Sequence, residues 1–439
     1  MPLIRAAGTR SRLGGTLLRE ARLSGTAAGA DWLLCLPRFS CLATLELRLG
    51  CGIWPPTPGA GWDGLPVALE SLVALRTLRT LRLRALAQPP QAAVDAIATL
   101  AQLTELDVAI NHGAQRQELP CLLPLARLKG LLVVGGGIGC AQLLQVTTAD
   151  GDALPLTGCR WEADSGGSLE VYGLRAGSTT QLEGLVAELL PPGAPLRSLA
   201  LQFCQLDFTG LCGAPSAPHG ASALACLTAL HLHRCGAEPH GQGSTDRALA
   251  GLLAASGPGL RLLAARHCQL SELPAARCLA GLEKLDMRHC QLARLPPALS
   301  AATSLTSLCL DSNHIVLTPD DVAGSWPLAA LPAGCPLVSL SLGSNSLRDL
   351  PPGPYLAGLT RLSLSCNALR RLPPALADTT SLRALTLGGN ASLRVGVMDV
   401  WRVLSQLKGV AHINFTPGTV SSAAVLAAAL TAPHLGLYS

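Results

Sequence analysis

Sixteen cysteines and ten histidines are the side chains of this 439-residue sequence with the widest chemical range. No two cysteines form a C-x-x-C pair, so the paired spacing of a zinc site is missing. A disulfide framework belongs to small secreted domains, and in a chain of this length the thiols read as reduced and mostly buried. His233, His267 and His289 could meet around a metal, but no acidic or supporting partner accompanies them, and no metal is expected. Gly135-Gly136-Gly137-Ile138-Gly139 has the look of a phosphate cradle, yet no Gly-Lys closes it. There is no G-x-S-x-G and no H-E-x-x-H, so the sequence predicts no catalytic residue, no cofactor and no enzyme activity. Two glycosylation sequons begin at Asn390 and Asn414.

Composition bounds the elements that must carry these residues. Apolar residues make up 49% and charged residues 14%, which excludes disorder as the dominant state. Aromatics are only 3%, so the core is aliphatic, while 45 Gly and 32 Pro imply many short elements joined by turns. The net charge of +5 is too mild to argue for nucleic acid. It is carried by arginine, because Lys129, Lys284 and Lys408 are the only lysines. The uncharged run 130–149 has membrane-spanning length but contains five Gly, and no membrane span is predicted.

A self-similar pattern organises most of the chain: Leu-x-x-Leu-x-Leu-x-x-Asn/Cys-x-Leu. Clear copies start at Leu196, Leu227, Leu260, Leu282, Leu305, Leu337, Leu359 and Leu382, weaker ones at Leu103 and Leu128, and degenerate ones near Leu42 and Leu78. Successive starts from Leu196 are 31, 33, 22, 23, 32, 22 and 23 residues apart, and the longer steps read as a loop insertion such as 236–245. Leu at offsets 0, 3, 5 and 10 cannot be buried within one such unit. Stacked neighbours bury it in a shared column, at about 1.5–3 kcal/mol for each fully buried Leu. At offset 8 the chain turns, and Asn313, Asn345, Asn367 and Asn390 can bond the exposed backbone groups; Cys204, Cys235, Cys268 and Cys290 fill the same slot. The Leu128 copy puts Gly136 at offset 8, which makes the glycine run structural, and Asn390 should be too buried for its sequon to be used.

The pattern resembles the leucine-rich repeat family, strongly over about 190–415 and loosely over 36–190. The continuation Leu-x-x-Leu-Pro at Leu270–Pro274, Leu292–Pro296, Leu347–Pro351 and Leu369–Pro373 is similar to intracellular Ras-group-related repeat proteins of plants and algae. The resemblance implies an α/β leucine-rich repeat solenoid, curved, with a parallel β-sheet on its concave face and short helices or turns on its convex face. The domains expected are an Arg-rich N-terminal segment at 1–35, degenerate repeats at 36–190, regular repeats at 191–415 and a C-terminal cap at 416–439.

Offsets 2, 4, 6 and 7 should face solvent along each strand. From Leu227 to Leu282 these positions gather Arg234, Arg266, Lys284 and Arg288 with His231, His233, His267 and His289, and Phe203 adjoins them from the preceding repeat. Strands about 4.8 Å apart would place Arg266 beside Arg288 and His267 beside His289. Like charges in register repel, with no stability reason to align them. The alternative is that RHCQL at 266–270 and 288–292 is simply a copied repeat. A selected patch would suit a protein partner with an acidic surface, because arginine forks pair with carboxylates. Nucleic acid is disfavoured, since Phe203 is the only stacking ring near the patch. The strands from Leu305 onward carry small residues, which would let a partner element approach the backbone.

These readings converge on a non-enzymatic scaffold that binds a protein on its concave face, in signalling or in cytoskeletal or ciliary assembly. A ubiquitin-ligase substrate-recognition subunit is the alternative, and a GTPase regulator a more distant one. Reduced thiols and the lack of a secretory signal point to the cytoplasm, with the cytoskeleton or axoneme suggested by the family resemblance. Five Arg against one Glu in residues 1–30 also fit an organelle transit peptide.

Overall fold

The computed structural model describes residues 4–5, 19–25, 41–49, 69–85, 91–110, 117–118, 130–135, 144–147, 153–162, 167–190, 195–206, 223–236, 244–317, 326–331, 335–410, 412–415, 419–421, 424–425, 428 and 436–437. Two compact units divide the chain, Met1–Leu206 and Asp207–Ser439.

The strands of the first unit are β1 (Ile4–Arg5), β2 (Glu20–Gly25), β3 (Thr44–Leu49), β4 (Thr80–Ala85), β5 (Glu105–Ile110), β6 (Gln117–Glu118) and β7 (Gly130–Gly135). They continue with β8 (Leu144–Thr147), β9 (Ala153–Leu156), β10 (Gly158–Glu162), β11 (Ser168–Tyr172), β12 (Arg175–Ala176), β13 (Ser198–Gln202) and β14 (Gln205–Leu206). β2, β3, β4, β5 and β7 pair in parallel, each one repeat from the next. The degenerate repeats keep the core offsets: Leu42, Leu45 and Leu47, Leu78, Leu81 and Leu83, and Leu103, Leu106 and Val108 are all buried. The parallel run then breaks. β10 lies antiparallel between β7 and β11, and β11 returns to parallel pairing with β13. The sheet implied by the repeat pattern is therefore mixed in this unit. Within β10, buried Cys159 and Trp161 alternate with exposed Arg160, so the strand keeps one buried face although no Leu-x-Leu stands there. β6, β8 and β9 form a small separate sheet, and β12 pairs with β14. Helices α1 (Gln91–Ala98) and α2 (Thr179–Leu189) bury one face each, and Ser178 caps α2 by accepting the Gln181 N–H.

The second unit has β15 (Ala229–His233), β16 (Leu262–Arg266), β17 (Lys284–Asp286), β18 (Ser307–Cys309), β19 (Ser339–Ser341), β20 (Arg361–Ser363), β21 (Ala384–Thr386), β22 (His412–Asn414) and β23 (Gly436–Leu437). All nine pair in parallel in chain order. Leu263, Leu285, Leu308, Leu340, Leu362 and Leu385 meet in register as one buried row. The connections back are mostly 3-10 turns. Pro297, Pro327, Pro354 and Pro374 each open one, where a fixed φ and a missing N–H cost nothing. The insertion expected as a loop at 236–245 is followed by a twelve-residue helix, α3 (Ser244–Ala255), which fills much of the long step. Residues 237–243 lie outside the described residues. The segment expected as a C-terminal cap supplies a further parallel strand, β23.

The offset-8 ladder is present. Asn367 Nδ2 donates to the carbonyls of Leu342 at 2.9 Å and Leu364 at 3.1 Å, and its Oδ1 accepts the Leu347 N–H at 2.9 Å. Asn313, Asn345 and Asn390 repeat this arrangement. Asn390 is fully buried, so its sequon is sealed. The cysteines of the earlier repeats offer an S–H in place of an amide: Cys290 to the Ala265 carbonyl at 3.2 Å and Cys204 to the Val171 carbonyl at 3.6 Å. Burial pushes the Cys290 thiol up to about 11, and a hydrogen bond from the Cys268 thiol to Cys235, together with burial, pushes Cys268 higher still. Thiols held protonated in this way are poor nucleophiles and act as packing.

Candidate functional site

Offset 7 is not a strand position, contrary to the sequence expectation. Phe203, Arg234, His267, His289, Ser312, Ser344 and Cys366 all have φ between 51° and 57°, and Gly389 has 80°. Each is the left-handed residue that turns the chain out of its strand towards the buried offset-8 side chain. Seven side chains other than glycine hold this conformation, which costs of order 1–2 kcal/mol per residue and is imposed by the ladder on either side.

This turn sets the geometry of the candidate face. Offset 6 carries His233 and Arg266 at the ends of β15 and β16 and Arg288 two residues beyond β17; offset 7 carries Arg234, His267 and His289 beside them. Backbone bonds hold the two rows together: Arg234 N–H donates to the Arg266 carbonyl at 2.9 Å and His267 N–H to the Arg288 carbonyl at 2.9 Å. The His267 and His289 rings stack with centroids 4.1 Å apart and planes 7° apart, and His233 meets His267 edge-on at 5.4 Å. The adjacency of His267 with His289 and of Arg266 with Arg288, expected from the repeat, is therefore realised.

Asp286 removes the repulsion expected between the aligned arginines. At offset 4 on β17 it lies on the same strand side as Arg288 and directly across from the Arg266 strand. Arg266 Nε donates to Asp286 Oδ2 at 2.7 Å, and Arg288 Nη2 donates to the same oxygen at 2.7 Å. One carboxylate holds two guanidinium groups side by side, so alignment of the arginines has a structural cause. Burial alone would raise the Asp286 carboxyl, but hydrogen bonds and charge from Arg288 and Arg266 outweigh it and hold the group below its ordinary range. The His267 ring is held below the ordinary imidazole value, first by partial desolvation and then by His289, His233, Arg234 and Arg266.

The other expected residues fall in place as follows. His231 is half-buried on β15 and Lys284 is exposed at the start of β17. Phe203 is 53% exposed but belongs to the first unit. Among the described residues no three His, Cys, Asp or Glu side chains are placed to hold a metal ion. The small-residue strands beyond β17 bond among themselves: Asp311 Oδ1 accepts from Ser341 Oγ and from the Gly343 N–H, both at 2.6 Å. A Cβ at Gly343 would stand 2.9 Å from Ser365 Oγ and 3.2 Å from Asp311 Oδ1, so that bridge needs glycine.

A second charged row, in the first unit, escaped the sequence reading. Arg22, Glu46, Arg82 and Asp107 stand in register on four adjacent parallel strands, with alternating sign. Glu46 is buried and pairs with Arg48 at 3.0 Å, while Asp107 pairs with Arg84 at 3.2 Å. All four are offset-4 residues or their equivalent, and treating the degenerate repeats like the regular ones would have found them. Each carboxylate is thus paired with an arginine outside the row, on its own strand for Glu46 and diagonally across to β4 for Asp107, and these pairs stabilise the sheet.

The leucine rich repeat family model matches residues 335–391, within the second unit. No curated protein matches the sequence. Among solved structures, a leucine-rich repeat protein of Leptospira interrogans shares 17% identity, with 92% of this chain and 91% of that one covered at a TM-score of 0.48. The octameric complex of latrophilin 3, Unc5D and the leucine-rich repeat protein FLRT2 gives 16% identity, 83% and 84% coverage and a TM-score of 0.42.

Proposed function

We propose that this chain, whose repeats match the leucine rich repeat family model over residues 335–391, is a non-enzymatic scaffold gripping a protein partner with an acidic surface. Protein binding is what this repeat fold generally provides. The observation that carries the reading is the two-by-three arrangement of His233, Arg266 and Arg288 beside Arg234, His267 and His289. Asp286 neutralises one charge of that group and fixes two guanidinium planes, leaving their remaining N–H donors for carboxylates of a partner. Preorganised arginines lose less side-chain entropy on binding, which is where a repeat surface gains affinity without a pocket. Lys284 and His231 extend the basic surface towards the start of the strands.

A cytoplasmic setting, with the cytoskeleton or axoneme as one site of action, is part of this proposal and rests on the protonated, packed thiols. Among the described residues no helix is long and apolar enough to cross a membrane. The ubiquitin-ligase alternative needs an adaptor-binding helix near the N-terminus. Described residues 4–5 and 20–25 of that segment are strand, and its transit-peptide reading lies mostly outside the described residues.

The test is affinity purification of the tagged protein from native lysate beside an Arg266→Glu/Arg288→Glu variant. A partner retained by the wild type and lost by the variant supports the reading, and identical recoveries refute it. Reversal places two new carboxylates next to Asp286, so Arg266→Gln/Arg288→Gln is the companion variant that removes charge without creating repulsion.

A further inference from the structure

Helix α4 (Val397–Arg402) follows the Leu382 repeat with Val400 buried and its other apolar residues exposed. Val400 is fully buried and anchors it, while Val397, Met398 and Trp401 are 38%, 59% and 60% exposed. These three residues and Arg402 are spaced i, i+3 and i+4, so they form one contiguous outward patch. Large apolar side chains are otherwise rarely exposed among the described residues, where only Val73, Phe203 and Val316 join them.

The surroundings are basic. Arg394, Arg402 and Lys408 are all exposed. The single acidic residue between positions 379 and 410 is Asp399. It is half-buried and engaged at the helix start, with its Oδ2 accepting the Gly396 N–H at 2.8 Å in a capping arrangement. The polar side chains that follow the helix are engaged locally: Ser405 Oγ donates to the Trp401 carbonyl at 2.7 Å, and Gln406 Nε2 donates to Ser405 Oγ at 3.3 Å. What remains outward is an aromatic ring, a thioether, a valine and cationic heads. Protein interfaces carry about one hydrogen bond per 100–200 Å², with acceptors as well as donors. This patch offers apolar bulk and positive charge alone. A lipid surface asks for that combination: the apolar side chains enter the headgroup boundary while Arg and Lys pair with anionic headgroups.

We propose that the outward face of α4, with Arg394, Arg402 and Lys408 around it, is a peripheral docking site for an anionic lipid surface. It uses residues separate from the arginine and histidine grid and does not rest on the scaffold reading. Charge complementarity selects the occupant, and Trp401 and Met398 supply the reversible apolar insertion.

Sedimentation of the full chain with phosphatidylcholine vesicles, with and without phosphatidylserine, tests this at low salt. The wild type should partition onto the anionic vesicles only, with a blue shift of tryptophan fluorescence that is absent from Trp401→Phe. Arg402→Gln/Lys408→Gln should weaken partition about 25-fold, at about fivefold for each charge. Met398→Ser/Trp401→Ser should abolish it while leaving the thermal unfolding midpoint unchanged, since both side chains are exposed. A wild type that stays off anionic vesicles overturns the proposal, as does equal binding to neutral vesicles or binding indifferent to both variants. Loss of a protein partner by Met398→Ser/Trp401→Ser, with no vesicle binding by the wild type, would reassign the face to protein recognition and overturn the lipid assignment.

Discussion

Replacing Asn367 and Asn313 by alanine should cost different amounts, and the difference follows from how the ladder shares its carbonyls. Asn367 donates to Leu342 O and Leu364 O, but Asn345 also donates to Leu342 O and Asn390 also donates to Leu364 O. In Asn367→Ala both carbonyls keep a donor, and the buried group left without its partner is the Leu347 N–H. One orphaned buried N–H costs about 1–3 kcal/mol, and with the small void this gives about 2–4 kcal/mol. Asn313 stands at the boundary where the slot changes from cysteine to asparagine. Its Nδ2 donates to Met287 O at 2.8 Å, and the neighbouring Cys290 thiol points to Ala265 O and Arg288 O instead. Asn313→Ala therefore strands both the Leu292 N–H and Met287 O, and should cost about 1–2 kcal/mol more than Asn367→Ala. Urea unfolding followed by circular dichroism, with matched m-values, measures both. Equal costs, or a cost below about 1 kcal/mol for either, would refute the ladder accounting.

Three further outcomes follow from the basic face and its neighbours. Acid should release the Asp286 clamp: its carboxyl is depressed in the fold, so the stability it adds is present above about pH 4 and lost as pH falls through the folded value, and Asp286→Asn should flatten that part of a pH–stability curve. The His267 ring is held below the ordinary imidazole value in the free protein, and an acidic partner would raise its affinity for protons; binding should strengthen as pH falls from about 7 towards 5, and His267→Gln should flatten that slope in a calorimetric titration. Gly343→Ala should lower stability by about 1–3 kcal/mol in thermal unfolding, because the added methyl meets Ser365 Oγ and Asp311 Oδ1.

The repeat was legible where leucine spacing alone fixes it. Offsets 0, 3, 5 and 8 placed the buried Leu row and the Asn ladder, and the in-register neighbours His267 and His289 followed from the same count. The left-handed turn at offset 7 was less visible, because arginine, histidine, phenylalanine and serine occupy it; Gly389 was the one residue type there that signals positive φ. The Asp286 clamp was readable in outline, since residues two apart on a strand share a side, but its choice of both arginines depends on cross-strand geometry. Antiparallel β10 had no spacing signal, as its pairing with β7 and β11 is set by partners on either side rather than by its own five residues. The bare face of α4 lay outside the repeat count, and which of its four apolar residues is buried, Val400 rather than Val397, Met398 or Trp401, is set by packing.

The claim that the arginine and histidine grid grips a partner is tested most directly by one affinity comparison. The dissociation constant of the protein recovered from lysate would be measured for the wild type and for Arg266→Gln/Arg288→Gln, with thermal unfolding recorded on the same samples. Losing hydrogen-bonded charges at an interface costs about 2–5 kcal/mol, so the account predicts binding at least about 30-fold weaker with an intact unfolding transition. An unchanged dissociation constant in a folded variant would contradict it, and would assign the aligned RHCQL segments to repeat copying.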